Sequence, residues 1–135
     1  CFNDISTNIA TLVKQISTED ELHNFNTPKV LLNAHKEAIY FSRQAIPYLR
    51  NHPQEEWLQH HTFYKHIGIY GYKIATLSIL SQLPLSSLEK AEALEQLRWI
   101  ENGFKIKVAI TQTETLAIDS PDDVDKVYEA LNLKR

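Results

Sequence analysis
With 135 residues the chain is long enough for one modest domain, and its 43% apolar content is sufficient for a packed core. No apolar run approaches the roughly 18 residues of a membrane span, so no membrane partner is expected. The formal charge of -3, with both signs interspersed, argues against a dedicated nucleic-acid binder, which usually shows a basic patch, and no nucleic-acid partner is expected. The lone Cys1 allows no intrachain disulfide and fits a reducing compartment.

The opening CFNDISTN has neither the basic flank nor the apolar run of a signal peptide. Met is absent throughout, position 1 included, and the chain is read as a piece of a longer protein. Residues 9–16 (IATLVKQI) are apolar and β-branched enough for a strand. A short helix is expected over 17–24, with Thr18 as N-cap and Glu21 three residues on completing a capping box. Residues 25–28 (FNTP) form a turn.

Residues 29–33 (KVLLN) and 37–43 (EAIYFSR), separated by three residues, have hairpin spacing. Strict alternation would put Ile39, Phe41 and Arg43 on one face and Ala38, Tyr40 and Ser42 on the other. Arg43 then reads as a snorkelling edge residue or as a clamp for a carboxylate or phosphate. Residues 48–64 read as a loop with one helical turn near Trp57. His52, His60 and His61 lie in it, but no cysteine joins them and their spacing matches no standard metal site.

The segment 65–73 (KHIGIYGYK) reads as a strand with His66, Gly68, Tyr70 and Tyr72 on one face. On an extended strand His66 and Tyr70 would stand roughly 13 Å apart, at two ends of a sugar-sized ligand. The glycines let backbone or ligand approach. The alternative is a half-buried face with satisfied polar tips. One or two helical turns follow over 74–80, before Pro84.

A single helix is then expected from the Ser86 N-cap, with Glu89 at N3, to the Asn102-Gly103 stop. Ala93, Leu94, Leu97 and Ile100 share one side, and Glu92, Glu95, Gln96 and Trp99 the other. That second side is either a surface touched by Trp99's neighbour or a polar pocket wall offering Glu95 and Gln96 to hydroxyl groups. Residues 105–111 alternate as a strand, and 115–119 (TLAID) run into the helix start at Ser120-Pro121. Asp119 therefore sits at a strand end before a helix N-terminus, as a turn acid or as a carboxylate for Mg²⁺. Phosphate-loop and dinucleotide glycine motifs are absent, as are repeats.

Four segments in this order, EAIYFSRQAIP (37–47), KHIGIYGYK (65–73), LPLSSLEKAEALEQLRWIENGFKIKV (83–108) and AIDSPDDVDKV (117–127), resemble the C-terminal half of the 3-deoxy-D-manno-octulosonate (KDO) cytidylyltransferases. IATLVKQI resembles the segment just before, so the likeness covers nearly the whole chain. It implies an α/β fold: the C-terminal part of a nucleotide-diphosphosugar-transferase-like three-layer sandwich with a β-hairpin dimerisation subdomain. On that reading 1–135 is one incomplete domain, with 29–73 the hairpin and dimerisation region and 86–135 carrying the sugar- and metal-site elements.

The family transfers CMP from CTP to KDO with Mg²⁺, releasing pyrophosphate, as a cytoplasmic homodimer that serves lipopolysaccharide synthesis. The resemblance places sugar contacts on Arg43, His66, Tyr70, Glu95 and Gln96 and a metal ligand on Asp119. Ala117 departs from the family's usual glycine there. The family's nucleotide loop, triphosphate lysine and second metal aspartate belong to the other half. A chain with most sugar contacts and one metal ligand is expected not to turn over alone. Two alternatives stand beside this reading: a non-catalytic dimerisation module built from 29–43 and 57–72, and a cytidylyltransferase for another acidic sugar such as a sialic acid. The HIGIYGY and LEQLR segments favour KDO.

Overall fold
The computed structural model describes residues 1–113 and Tyr128, so Asp119 and the helix start beside it lie outside the described residues. Five strands form one mixed sheet in the order β3-β2-β4-β1-β5. At its centre β1 (Ile9–Gln15) runs antiparallel to β4 (Tyr64–Tyr72) and parallel to β5 (Ile106–Ile110). The hairpin strands β2 (Lys29–Leu32) and β3 (Ala38–Ser42) extend the sheet on the β4 side. The β-branched run of β1 suits a strand whose two neighbours bury it: Ile9 and Val13 are fully buried and Ala10 nearly so.

The main core is built by Ile9, Val13, Val30, Phe41 and Ile106 from the sheet, with Leu80, Leu97 and Trp99 from helices laid against it and Leu94 from the link between two of them. Those helices are α3 (Ile74–Leu80), α4 (Ser87–Glu92) and α5 (Gln96–Glu101), numbered after α1 (Glu19–His23) and α2 (Trp57–His60). A second, smaller core gathers Ile16, Leu22, Trp57 and Phe63. It sits where α1 and the excursion between β3 and β4 meet the start of β4.

Thr18 caps α1 as its sequence predicts, accepting from the Glu21 N–H at 3.3 Å. The Glu21 carboxylate does not close a box on Thr18; it reaches the Ser17 N–H at 3.5 Å and the Lys65 ammonium. A buried cation on β4 outcompetes a backbone amide for that carboxylate. The hairpin turn is fixed by Asn33, whose side-chain oxygen accepts from the N–H groups of His35 and Glu37, both at 2.9 Å, while Lys36 takes φ 56°. Its tip reaches the far edge of the sheet, where Val108 N–H donates to Lys36 O at 2.8 Å.

Three sequence expectations are corrected. Alternation in β3 fails at Ile39: Leu31 pairs with Tyr40 and Leu32 with Ala38, which leaves Ile39 as the extra residue of a bulge. Its side chain is 52% exposed while Phe41 is fully buried. The helix expected over 86–102 is two helices. Ala93 adopts the left-handed conformation, φ 51° and ψ 48°, and ends α4 there. A residue other than glycine in that conformation needs support from its surroundings. Arg98 supplies a brace across the break, donating Nε to Glu89 Oε2 at 2.7 Å and Nη2 to Oε1 at 2.5 Å. The third correction, in β4, shapes the site.

The stop at Gly103 is as predicted. With φ 80° it lets its own N–H reach Ile100 O at 2.9 Å and the Phe104 N–H reach Trp99 O at 3.0 Å.

Candidate functional site
His66 and Tyr70 are not 13 Å apart. Their ring centroids lie 5.1 Å from one another. The cause is a register irregularity: Thr11 pairs with Tyr70, but the next residue, Leu12, pairs with Ile67. Gly68 and Ile69 are therefore extra in β4, and the strand shortens between the two rings. An added Cβ at Gly68 would meet nothing within 4 Å, and Gly71 is where the Phe2 ring approaches the strand.

The bulge gathers a set of rings over the sheet. Tyr70 stacks on Tyr72 at 5.8 Å and meets Trp99 edge-on at 5.1 Å, and Tyr72 meets Trp99 edge-on at 5.7 Å. Phe41 of β3 packs edge-on against His66 at 5.2 Å. The break at Ala93 makes this possible, because it re-aims α5 so that both sides of it turn inward. Gln96 and Trp99 are buried, and so are Leu94 and Leu97. The polar side expected from the sequence divides, with Gln96 and Trp99 buried and Glu95 left exposed.

Proton positions follow from the partners. The Thr11 hydroxyl donates to Ile69 O at 2.8 Å and can only accept from His66 Nε2, 2.9 Å away. His66 is then the neutral Nε2–H tautomer, with Nδ1 as an acceptor. Burial holds its pKa down at about 4. The Tyr70 hydroxyl is buried and meets no hydrogen-bond partner among the described residues. Burial foremost, then Tyr72 and the Glu95 charge, push its pKa upward, so it stays a protonated donor. Glu95 also raises the pKa of Tyr72, after burial. Its carboxylate is mostly exposed and lies 3.5 Å from Arg98 Nη2.

The sequence-predicted residues thus divide. His66 and Tyr70 pack against each other in one aromatic cluster, Glu95 acts electrostatically on Tyr70 from the opening of α5, and Gln96 is buried one residue further on. Arg43 stands apart. Its guanidinium donates to the carbonyls of Glu92 at 2.7 Å, Phe25 at 3.0 Å and Ala93 at 3.3 Å. Sequence reasoning missed Thr11, which fixes the histidine tautomer. It also missed Glu92, which accepts from Ser42 Oγ at 2.7 Å and from Arg43 N–H at 3.0 Å and so ties α4 to the hairpin. Lys29 carried no signal either. It is fully buried, donates to Asn24 O at 2.8 Å, and burial lowers its pKa to about 8.

Two predictions follow from the buried rings. Tyr70→Phe removes a buried, unpaired hydroxyl, so the isolated chain should unfold at the same or a higher urea concentration, by up to about 1 kcal/mol. A clear loss of stability would mean that the hydroxyl already has a partner. For His66, the unfolded chain takes up a proton near pH 6.5 and the folded chain only near pH 4. Between those values the unfolded state binds more protons, so stability falls as pH falls through that window, by as much as about 3 kcal/mol. Urea midpoints at both ends of the window, compared with His66→Gln, measure this; an unchanged slope in the variant would remove His66 as the cause.

Among the described residues one group of three metal-capable side chains appears, His52, Glu56 and His60. It is nitrogen-rich and distant in character from the oxygen set that Mg²⁺ prefers. No helix of the described residues is long and apolar enough to cross a membrane.

A mixed five-stranded sheet with helices laid on it and a bulged, glycine-bearing strand define an α/β domain. The family described as Cytidylyltransferase matches residues 2–107, and the chain belongs to that family. It is 56% identical over 135 residues to the 3-deoxy-manno-octulosonate cytidylyltransferase of Parabacteroides distasonis, covering 97% of this chain and 54% of the relative. It is 52% identical over 134 residues to the protein of that name in Bacteroides thetaiotaomicron, with the same coverage. Among solved structures it resembles a CMP:2-keto-3-deoxy-manno-octonic acid synthetase complexed with CTP, at TM-score 0.86 and 36% identity, over 97% of this chain and 52% of that one. The chain spans about half the length of the curated relatives it matches.

Proposed function
We propose that the chain is the sugar-binding part of an enzyme that transfers CMP from CTP to KDO. The observation that carries this reading is the Tyr70 hydroxyl, buried and unpartnered, on a ring packed against a neutral histidine. Such a donor is suited to a polyhydroxylated ligand that brings its own acceptors. Relatives of this chain carry the name of that activity, and the related solved structure holds CTP.

In the proposed reaction the anomeric hydroxyl oxygen of KDO attacks the α-phosphorus of CTP. The bond from that phosphorus to the bridging oxygen breaks, pyrophosphate leaves with the electron pair, and the hydroxyl proton passes to solvent. The residues of this chain hold the sugar for that attack. Tyr70 donates to a sugar oxygen, His66 Nδ1 accepts from a hydroxyl, and Glu95 and Gln96 take further hydroxyls along the start of α5. Arg43 is proposed to take the sugar carboxylate, which would replace its longest contact, to Ala93 O at 3.3 Å.

Asp119 is proposed to hold Mg²⁺, since a carboxylate with phosphate oxygens is the donor set this ion favours. We place the enzyme in the cytoplasm, where CTP is available, and propose a homodimer formed through the 29–73 region. The outer position of β3 and the exposed Ile39 on it support that choice.

The test is pyrophosphate release by the full-length protein containing this chain. Turnover should require both CTP and KDO, and the 135-residue chain alone should show none. Turnover with a sialic acid in preference to KDO would redirect the proposal to another acidic sugar, and none with either would end it.

A further inference from the structure
The excursion between β3 and β4 carries a side-chain set that the sugar chemistry does not use. We propose that His52, Glu56 and His60 form a binding site for a divalent transition metal of the Zn²⁺ class, distinct from the Mg²⁺ chemistry proposed for Asp119. One imidazole nitrogen from each histidine and a carboxylate oxygen lie within 4.8 Å of one another. His60 Nε2 is 3.6 Å from Glu56 Oε2, and the His52 and His60 rings lie face to face, 3.6 Å apart and 20° from parallel. Zinc–nitrogen and zinc–oxygen bonds of about 2.0–2.2 Å put tetrahedral ligand atoms roughly 3.4 Å from each other. The stacked rings hold their in-plane lone pairs nearly parallel, so binding requires side-chain rotation that unstacks them and draws the outermost ligand atoms in by roughly 1.4 Å. Two imidazoles and a carboxylate leave a fourth position for water, and imidazole nitrogen selects Zn²⁺, Ni²⁺ or Cu²⁺ over Mg²⁺.

The backbone under the ligands is already held. Glu56 and His60 are four residues apart and share a helical face. His52 comes from the preceding turn, where its carbonyl accepts from the Trp57 indole at 3.0 Å. Trp57 is anchored in the second core, stacked with Phe63 and edge-on to Tyr48. A metal bound there would staple the excursion closed over that core. His61, which sequence spacing groups with His52 and His60, is not part of the set. It has extended backbone and meets Phe63 edge-on at 4.9 Å. Glu56 takes its place, because one helical turn separates Glu56 from His60 while the chain leaves the helix at His61.

The experiment is a Zn²⁺ titration of the 135-residue chain against a chromophoric chelator, in a Cys1→Ser background because the exposed thiol is a separate zinc ligand. One equivalent of Zn²⁺ should bind at neutral pH, unaffected by millimolar Mg²⁺, and should raise the thermal unfolding midpoint. His60→Ala and His52→Ala should each weaken binding on the order of 100-fold and Glu56→Gln about 10-fold, while His61→Ala leaves it unchanged. His60 is on the surface, so its replacement disturbs no core, and far-UV circular dichroism checks each variant. Absence of stoichiometric binding overturns the proposal. So does retained affinity in His60→Ala, or a loss in His61→Ala as large as in His60→Ala.

Discussion

Trp99→Ala should destabilise the chain by about 3–5 kcal/mol, a large share of what a domain of this size possesses. The indole is 4% exposed and belongs to the main core, so truncation opens a cavity between α5 and the sheet. It also removes the edge-on partner of both Tyr70 and Tyr72. The two tyrosines would then rest on a void, and the sugar site proposed around Tyr70 would loosen with the core. Trp99→Phe should recover part of the stability, since a smaller ring keeps an aromatic edge in the same place. Urea unfolding followed by far-UV circular dichroism measures both. A cost below about 1 kcal/mol for the alanine variant would show that the indole is not packed as described.

Trp57→Ala should cost a similar amount, about 3–5 kcal/mol, for a different reason. Trp57 is the largest member of the second core and its indole N–H is bonded to the His52 carbonyl. Its loss leaves Ile16, Leu22 and Phe63 too small to fill the space between α1 and β4, and it frees the turn that carries His52. The two tryptophans serve separate clusters, so their effects should add in the double variant. In the full-length protein Trp57→Ala should leave the KM for KDO nearly unchanged, whereas Trp99→Ala should raise it. If both raise it equally, the two cores are not independent.

Much of the fold was legible in the sequence because local signals and burial agree. Thr18 as a cap, the hairpin spacing around Asn33 to Glu37 and the glycine stop at Gly103 each have one cheap conformation, and the structure adopts it. The misses share a cause. The bulge at Ile39, the extra residues Gly68 and Ile69 in β4 and the left-handed Ala93 are places where packing overrides periodicity. Ala93 is the clearest. Alanine favours helix, and nothing local distinguishes 92–95 from continuous helix; the turn is held by Arg98 reaching back to Glu89 and by Arg43 and Glu92 joining α4 to the hairpin. Those are contacts between residues up to fifty positions apart.

The site was legible as a set of residue types and not as a geometry. His66, Tyr70, Glu95 and Gln96 stood out by resemblance and by chemistry, yet the 5.1 Å between the His66 and Tyr70 rings depends on the β4 bulge. Trp99 had an anomaly of its own, an indole on a face of acids and amides, and that anomaly marked a core residue packed edge-on against Tyr70 and Tyr72. Thr11 had no signal, because a threonine in a central strand is unremarkable until its hydroxyl is seen between Ile69 O and His66.

The most direct measurement is the pair of KM values, for KDO and for CTP, of Tyr70→Phe in the full-length protein that contains this chain. Loss of one hydrogen bond to the sugar should raise the KM for KDO about tenfold and leave that for CTP within about twofold. An unchanged KM for KDO, or a rise confined to CTP, would contradict a sugar site built on the Tyr70 hydroxyl.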